Sequence, residues 1–332
     1  MPSPAPIRLI ERAIERLRFP VIIVGLLISL PLLGLFYGMG ALRVQPDFEI
    51  WNRPMEIRGF FILASLLPAY LVMCFTAWIR SSNALFAAIE NELHENPAIT
   101  IDRFQFARFW PVAMAVGIFF AYQVNINWST LEFDSDSLIF TTSIAMVLGQ
   151  SLTWAMIALV LFFTLHEHYI LSRYGKYVQV NLYDLDRLNG FGRAALSGFL
   201  MTAGALAFMT LQSLDQRFVW GNYAIGLYVG LPAAIAFMLL PTWTVHKNIK
   251  AEKTKAENEI TAAISSSSSA LDNDSLTRLN GLIARREQIR HLRTWPMNVS
   301  IFSRLLFYVF IPPLAWLGAA LMEVLLDSYI AG

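Results

Sequence analysis

The stretch Arg304–Leu326 reads RLLFYVFIPPLAWLGAALMEVLL, and it decides how the rest of the chain is interpreted. Wound as an α-helix at about 100° per residue, it separates slim or polar side chains from bulky ones. One side carries Tyr308, Pro312, Ala315, Ala319 and Glu323. The other side carries Leu306, Phe310, Leu314, Leu317, Leu321 and Leu325. Because a helix that only faces lipid needs no such sorting, we predict that the first side lines a pore, a cavity or a close helix contact.

The composition predicts a membrane protein. Of the 332 residues, 56% are hydrophobic and 15% are charged, whereas soluble proteins carry about 25% charged residues. The apolar residues gather in runs near the roughly 20 residues that cross a bilayer. Seven such runs occur: Phe19–Leu42, Gly59–Ile79, Phe109–Gln123, Leu138–Leu165, Ala195–Leu214, Gly221–Val245 and Leu305–Leu326. We therefore predict an all-α, polytopic membrane protein with seven transmembrane helices, the third of them short and interrupted by Pro111.

The basic residues predict the orientation of these helices. With the N-terminus inside, the inner segments hold 21 of the 25 Lys and Arg residues and the outer loops hold 4. Since cytoplasmic loops carry the excess of positive charge, we expect the N-terminus inside and the C-terminus outside. The net charge of +1, spread over several loops, argues against nucleic-acid binding. The lipid bilayer is the expected environment.

This membrane topology divides the chain into four parts. Residues 1–18 form an amphipathic helix, which lies either on the inner membrane surface or against the protein's own inner part. Residues 19–245 form a six-span membrane domain with helices that project inward. Residues 246–300 form a cytoplasmic helical hairpin between spans six and seven. Residues 301–332 form the final span and a short outer tail.

The inward projections are long helices. Leu138–Leu171 contains no helix breaker except Gly149, and the sixth span continues as a charged helix to Ile264. Ser265–Ser269 predicts a flexible turn, and a second inner helix then runs until Trp295-Pro296 stops it. Its apolar positions are Leu276, Leu279, Ile283, Ile289 and Leu292. An apolar stripe outside the membrane must be covered, so we expect these residues to contact neighbouring copies, with the chain's own inner helices as the alternative.

Two local patterns complete the layout. Gly34–Gly38 and Gly226–Gly230 have the small-xxx-small spacing that permits close approach of membrane helices. Between the second and third spans, Asn83–Glu95 predicts a short separate amphipathic helix that Pro97 ends.

Few residues suggest chemistry. Glu323 is the one acid well inside a predicted span, and it lies either at the mouth of a cation pathway or at a rim that reaches water. His166 and His168 point about 200° apart, so we expect polar residues at a helix exit rather than a metal site.

Two further groups of polar residues have structural interpretations. Asp184 and Asp186 read as caps or as partners of Arg187 and Arg193. Gln150, Ser151 and Thr153 read as interhelical hydrogen-bonding groups, with a polar cavity as the alternative.

No catalytic triad, phosphate loop or zinc spacing is present, and the single Cys74 excludes a disulfide within the chain. We therefore expect no enzymatic activity, no metal and no cofactor.

The layout of the long fourth helix, the extended sixth helix, the inner helix Leu276–Leu292 and the final span resembles that of insect odorant and gustatory receptors. The resemblance implies seven spans, four subunits that meet through the inner helices, and final helices that line a cation pore. It covers layout only, because the aromatic signature of that family's last span is not reproduced and Pro312-Pro313 departs from it. Arg285–Glu323 also looks like the C-terminal part of uncharacterised bacterial multi-pass proteins, which implies a bacterial inner membrane.

These features favour a homo-oligomeric, tetrameric ion channel with the last span beside the pathway. A secondary transporter is one alternative, although no inverted repeat is visible. A non-conducting scaffold or sensor, whose hairpin docks a partner, is the other.

Overall fold

The computed structural model of the protein describes residues 20–42, 57–90, 107–125, 138–213, 220–267, 273–318 and 321. These residues form α-helices with short 3₁₀ and π segments, and no β-strand occurs among them. The helices are α1 Val21–Gly38, α2 Ile57–Glu90, α3 Trp110–Phe120, α4 Leu138–Tyr174, α5 Asn189–Phe208, α6 Trp220–Ser267, α7 Asn273–His291 and α8 Val299–Val309. After a turn at Phe310, α8 resumes and continues to Gly318. The predicted helix within residues 1–18 lies outside this description.

Six helical segments of the described chain are long and apolar enough to cross a membrane. The predicted all-α, multi-pass character is therefore confirmed at this level. The third predicted span is not among these six segments, because the helix Trp110–Gln123 is shorter than the membrane-length helices. Pro111 does not interrupt this helix; it occupies the first turn, where its missing N–H costs nothing.

The two longest predicted helices are confirmed. α4 runs for 37 residues and ends three residues beyond the predicted Leu171. α6 runs for 48 residues without interruption through Pro232 and Pro241, and it includes the first serines of the predicted flexible turn. The prediction of a separate helix over Asn83–Glu95 is wrong, since α2 continues as one helix to Glu90. No Gly or Pro separates the two parts, so nothing ends the helix there.

α2 forms the centre of the helical bundle. In its most apolar window, 56% of the residues are buried, against 17% for α1 and 11% for the last segment. α2 packs on α1, α4 and α5, while α4 also contacts α3 and α6, and α5 also contacts α6 and α8. α1 and α8 are therefore the two least enclosed membrane-length segments of the described chain.

Of the two predicted glycine pairs, one lies where two helices approach closely and the other does not. A Cβ at Gly226 would meet Met209, and one at Gly230 would meet Leu206, so the second predicted small-residue pair lies at a tight contact of α5 with α6. A Cβ at Gly34 or Gly38 would meet nothing within 4 Å. The first pair therefore makes no close contact with the part of the chain that the structure describes.

Gly40 ends α1 because it adopts a backbone conformation that residues with side chains disfavour. Its φ is 77°, in the left-handed region that side chains disfavour. This conformation lets the N–H groups of Gly40 and Ala41 donate to the carbonyls of Tyr37 and Phe36 at 3.0 Å each. Phe36 and Ala41 are both buried in one apolar cluster. The two bonds and the contact between positions flanking the turn form a Schellman cap.

Candidate functional site

A side-chain hydrogen bond caps the first turn of the final helix. The Asn298 side chain accepts a hydrogen bond at 2.9 Å from the N–H of Ile301, which satisfies one of the free donors of the first turn. Ile301 and Leu305 then bury their side chains against the bundle. Asn298 was not among the predicted capping residues, although Asn before an apolar helix is a strong capping signal.

Two consecutive prolines interrupt this helix in its middle. The N–H of Phe310 donates to Phe307 O at 3.1 Å, in a tighter turn than the α-helix, and the N–H of Leu314 donates to Phe310 O at 2.9 Å. Pro312 and Pro313 have no N–H to donate. The carbonyl of Val309 is therefore left without a backbone donor inside its own helix, about halfway along the segment Val299–Gly318.

The two predicted sides of the final helix differ in exposure. The bulky residues Leu306, Phe310, Leu314, Leu317 and Leu321 are 49–59% exposed. The slim-side residues Tyr308, Pro312 and Ala315 are half-buried and turned toward the bundle. Ala319 and Glu323, which complete the predicted pore-lining set, lie outside the described residues. The slim side is thus partly covered by the chain itself, and its role in lining a pore stays a prediction.

Trp316 fixes the final helix to the bundle. Its indole Nε1 lies 3.4 Å from the carbonyl oxygen of Leu206 on α5, to which it donates. Its ring lies 5.7 Å from that of the buried Tyr223 on α6. Trp316 was not among the residues predicted to matter in the final helix. It falls within 80° of Tyr308 on the helical wheel, so a Trp on the slim side was the available signal.

An aromatic junction joins the linker before α8 to α6. The rings of His246 and Trp295 stack at 4.3 Å with an interplanar angle of 21°. The Nδ1 atom of His246 lies 2.9 Å from Thr294 O, and Trp243 lies 6.2 Å from Trp295. The adjoining residues Pro296 and Met297 pack on Gly192 of α5, where any Cβ would meet them at 2.6 Å. The start of α8 is therefore held by both α5 and α6.

α7 lies antiparallel to the extension of α6, so the predicted helical hairpin is present. The ammonium group of Lys253 donates to the carbonyls of Arg290 at 2.6 Å and Leu292 at 3.1 Å. These carbonyls belong to the last turn of α7 and the residue after it, where a cation is favoured by the helix dipole. The Asn248 side chain also donates to Gly175 O at 2.7 Å, which ties the hairpin to the end of α4.

Two arginines connect the hairpin to the loop between α4 and α5. Arg293 lies 2.7 Å from Asp186, and Arg285 donates to the Tyr183 hydroxyl at 2.9 Å. The predicted pairing of Asp184 with Arg187 is confirmed at 2.6 Å. Asp186 instead accepts hydrogen bonds from the nearby Asn189 side chain at 3.0 Å and from the distant Arg293. All these polar contacts are partly exposed, so they position the hairpin more than they stabilise it.

The predicted oligomerisation residues divide into three groups. Leu276 and Ile283 are 43% and 45% exposed, Leu279 and Leu292 are half-buried, and Ile289 is 2% exposed. Ile289 faces the chain's own helices, so it cannot contact a neighbouring copy in this conformation. The predicted surface is therefore reduced to the end of α7 near Leu276 and Ile283.

His168 occupies a crossing of four helices. Its side chain is fully buried, with Trp78 of α2 at 5.5 Å and Phe237 of α6 at 5.1 Å between ring centroids. Nδ1 lies 2.7 Å from Thr164 O, and Nε2 lies 3.2 Å from Ala194 O. Because a neutral imidazole has one N–H, it donates to only one of these carbonyls.

His166 and His168 are both buried within the bundle, and their position at a helix exit from the membrane stays a prediction. The long inner end of α4 is covered by α5 and α6, which the sequence pattern did not reveal.

Other polar groups of the fourth helix are buried as well. Ser143, Ser151 and Thr153 have hydroxyl groups with no hydrogen-bond partner within the described chain. The prediction that Ser151 and Thr153 bond to other helices is therefore not met here. Groups of three or more His, Cys, Asp and Glu that could hold a metal ion are likewise not found in the described part of the chain.

The arrangement offers a broken final helix at the edge of the bundle, joined at its base to a helical hairpin. This site places a backbone carbonyl that has no donor in its own helix beside the half-buried side chains of Tyr308, Pro312 and Ala315. No protein-family model, curated protein or solved structure matches the chain, so its function is argued from this geometry.

Proposed function

We propose that the protein is a homo-oligomeric, tetrameric ion channel in a bacterial inner membrane, with the last span of each copy beside the pathway. Seven spans, an inner N-terminus and an outer C-terminus belong to this proposal. The observation that carries it is the proline break of α8, which leaves the Val309 carbonyl without a backbone donor from its own helix in the middle of a membrane-length segment. Unpaired backbone carbonyls at membrane depth are tolerated where they line a water-filled cavity.

The position of α8 supports the same proposal. A pathway shared between copies requires the lining helix to lie at the edge of each protomer, and α8 is the least enclosed membrane-length segment described. Tyr308, Pro312 and Ala315 keep part of their surface uncovered, so they remain able to border a path. Leu276 and Ile283 expose apolar surface on α7, which contact with another copy would cover.

The test is current through a planar bilayer combined with chemical access to α8. In a Cys74→Ala background, the variant Ala315→Cys is compared with the matched control Leu317→Cys on the bulky side. We expect a cationic methanethiosulfonate reagent to change the single-channel current of A315C and to leave that of L317C unchanged. A monomeric protein that carries no current, or equal modification of both variants, would end the proposal.

A secondary transporter is the second candidate, because broken helices with free carbonyls are also typical of that class. A transporter would differ from the proposed channel in its turnover rather than in the arrangement of its helices. Stoichiometric exchange of labelled substrate across vesicles, without single-channel steps, would favour it. A scaffold or sensor would show neither activity and would lose a bound partner on deletion of residues 247–293.

A further inference from the structure

One face of the α6 extension forms a shallow, open basic groove just beyond the apolar part of the helix. Its residues are Lys247, Lys250, Ala251, Thr254, Lys255, Asn258 and Glu259. The small side chains of Ala251 and Thr254 lie among the longer charged side chains of this face. Three lysines against one glutamate make the groove positive. It therefore has both the space and the charge to hold an anionic group.

The groove is separate from the contacts that hold the hairpin together. Ile249 and Ile260, which are buried in the chain, lie on the opposite side of α6. Lys253 faces α7 and is occupied by its carbonyls. The groove lysines, in contrast, make no ion pair with a carboxylate in the described chain. Their charge is thus available to a ligand.

Trp243 places the groove relative to the membrane. It lies four residues before Lys247 on the same side of α6, is 47% exposed, and has the Lys247 ammonium 5.5 Å from its ring centre. Exposed Trp residues at the end of an apolar helix mark the level of the lipid headgroups. Lys247 and Lys250 follow at about 6 and 10 Å along the helix axis. Both therefore stand at the depth of lipid phosphates.

We propose that this groove binds the phosphate-bearing headgroup of an anionic phospholipid from the adjoining leaflet. The phosphate would lie between Lys247 and Lys250, with Lys255 contributing from the far end and Glu259 limiting how far the headgroup extends. Basic pockets next to membrane helices bind lipid headgroups by this combination of position and charge. The proposal does not depend on whether the protein conducts ions.

The experiment titrates the purified full-length protein in neutral detergent with phosphatidylglycerol, and thermal unfolding is followed by circular dichroism. Phosphatidylcholine and inorganic phosphate are titrated separately. We expect phosphatidylglycerol to raise Tm by about 2–4 °C for each kcal/mol of binding free energy gained. The variant K247Q/K250Q/K255Q should shift the titration midpoint by about 100-fold, because each lysine near an anionic lipid contributes about fivefold.

The matched control is K176Q/R278Q/R286Q, which removes the same charge from exposed residues outside the groove. It should keep the wild-type midpoint. An unchanged midpoint in the groove variant, or an equal loss in the control, would overturn the assignment. Equal stabilisation of the wild type by inorganic phosphate would also overturn it, because the ligand would then be a soluble anion rather than a lipid.

Discussion

At the scale of single residues, glycines decide how closely the helices of this bundle approach. Gly198 lies at one such close approach, where a Cβ would lie 2.8 Å from the His168 Nε2 atom and 2.9 Å from Phe237. Both neighbours are fully buried, so neither moves aside freely. The fit between α4, α5 and α6 at this crossing therefore requires a residue without a side chain.

The variant Gly198→Ala should lower the free energy of unfolding by about 1–3 kcal/mol, the usual effect of overpacking a filled interior. Thermal unfolding in detergent, followed by circular dichroism, measures the effect. Gly34→Ala is the control, because a Cβ there meets nothing within 4 Å. Equal melting temperatures for both variants would show that this crossing is loose.

Gly40→Ala tests the cap of α1. The added Cβ opposes the positive φ of 77°, and the expected loss of stability is about 1 kcal/mol. Gly38→Ala, two residues earlier and inside the helix, should not lower stability, since Ala is the better helix former. A stable G40A variant would mean that the end of α1 contributes little to folding.

Residue spacing predicted some of these contacts and missed others for a physical reason. The pair Asp184–Arg187 and the close approach at Gly226 and Gly230 follow from distances of three or four residues along one helix. The contacts of Asp186 with Arg293 and of Trp316 with Leu206 join residues more than 100 positions apart. Such pairs depend on how helices are arranged, which local spacing does not determine.

At the scale of secondary-structure elements, Lys253 bonds the α6 extension directly to the end of α7 at the base of the hairpin. Lys253→Met keeps most of the apolar stem but removes the donor to Arg290 O and Leu292 O. The last turn of α7 should then open more often, and amide hydrogen exchange there should accelerate by about 2- to 30-fold, which corresponds to about 0.3–2 kcal/mol. Lys176→Met is the control, and equal exchange in both would show that the lysine contact is dispensable.

The proline break of α8 makes a second prediction at this scale. Pro312→Ala combined with Pro313→Ala supplies two N–H groups, one of which can donate to the Val309 carbonyl. The break should close, and exchange of the amides of Phe310, Ile311 and Leu314 should slow. Pro232→Ala in α6 is the control, because that proline does not interrupt its helix. If the double variant still exchanges rapidly at these positions, the break has a cause other than the prolines.

Helices were predicted well where their length was set by the absence of breakers. α4 follows this rule, and so do the part of α6 beyond Pro241 and the antiparallel α7 that stops before Trp295. The error at Asn83–Glu95 has the opposite cause, since a change from apolar to amphipathic residues does not end a helix without Gly or Pro. The proline pair of α8 was visible in the sequence, but its effect on the Val309 carbonyl depends on which neighbouring N–H groups donate.

At the scale of the whole molecule, the exposed end of α7 predicts assembly. Leu276→Ser combined with Ile283→Ser should lower the mass of the detergent-solubilised particle without lowering Tm, because both residues are exposed within one chain. Light scattering after size-exclusion chromatography gives the mass. The control Ile289→Ser should instead lower Tm, since that side chain is buried. An unchanged mass in the first variant would exclude this end of α7 as a contact between copies.

The multi-pass helical character was predictable from composition, because long apolar segments have few alternatives. The order in which the helices pack was not, since several similar apolar helices pack in many ways with nearly equal hydrophobic burial. The burial of His168 illustrates the limit: its immediate sequence, Leu165-His166-Glu167-His168, is typical of a helix leaving the membrane. The covering residues come from α2, α5 and α6.

The uninterrupted α6 also has a mechanical consequence. From Thr242 to Ser267 it contains neither Gly nor Pro, so it behaves as a stiff rod about 38 Å long. A tilt of about 5° at the level of Trp243 would displace its far end by about 3 Å. The hairpin can thus act as a lever. A small rotation of α6 inside the bilayer produces a larger displacement at its far end, and a force applied at that end is transmitted to the base of α8.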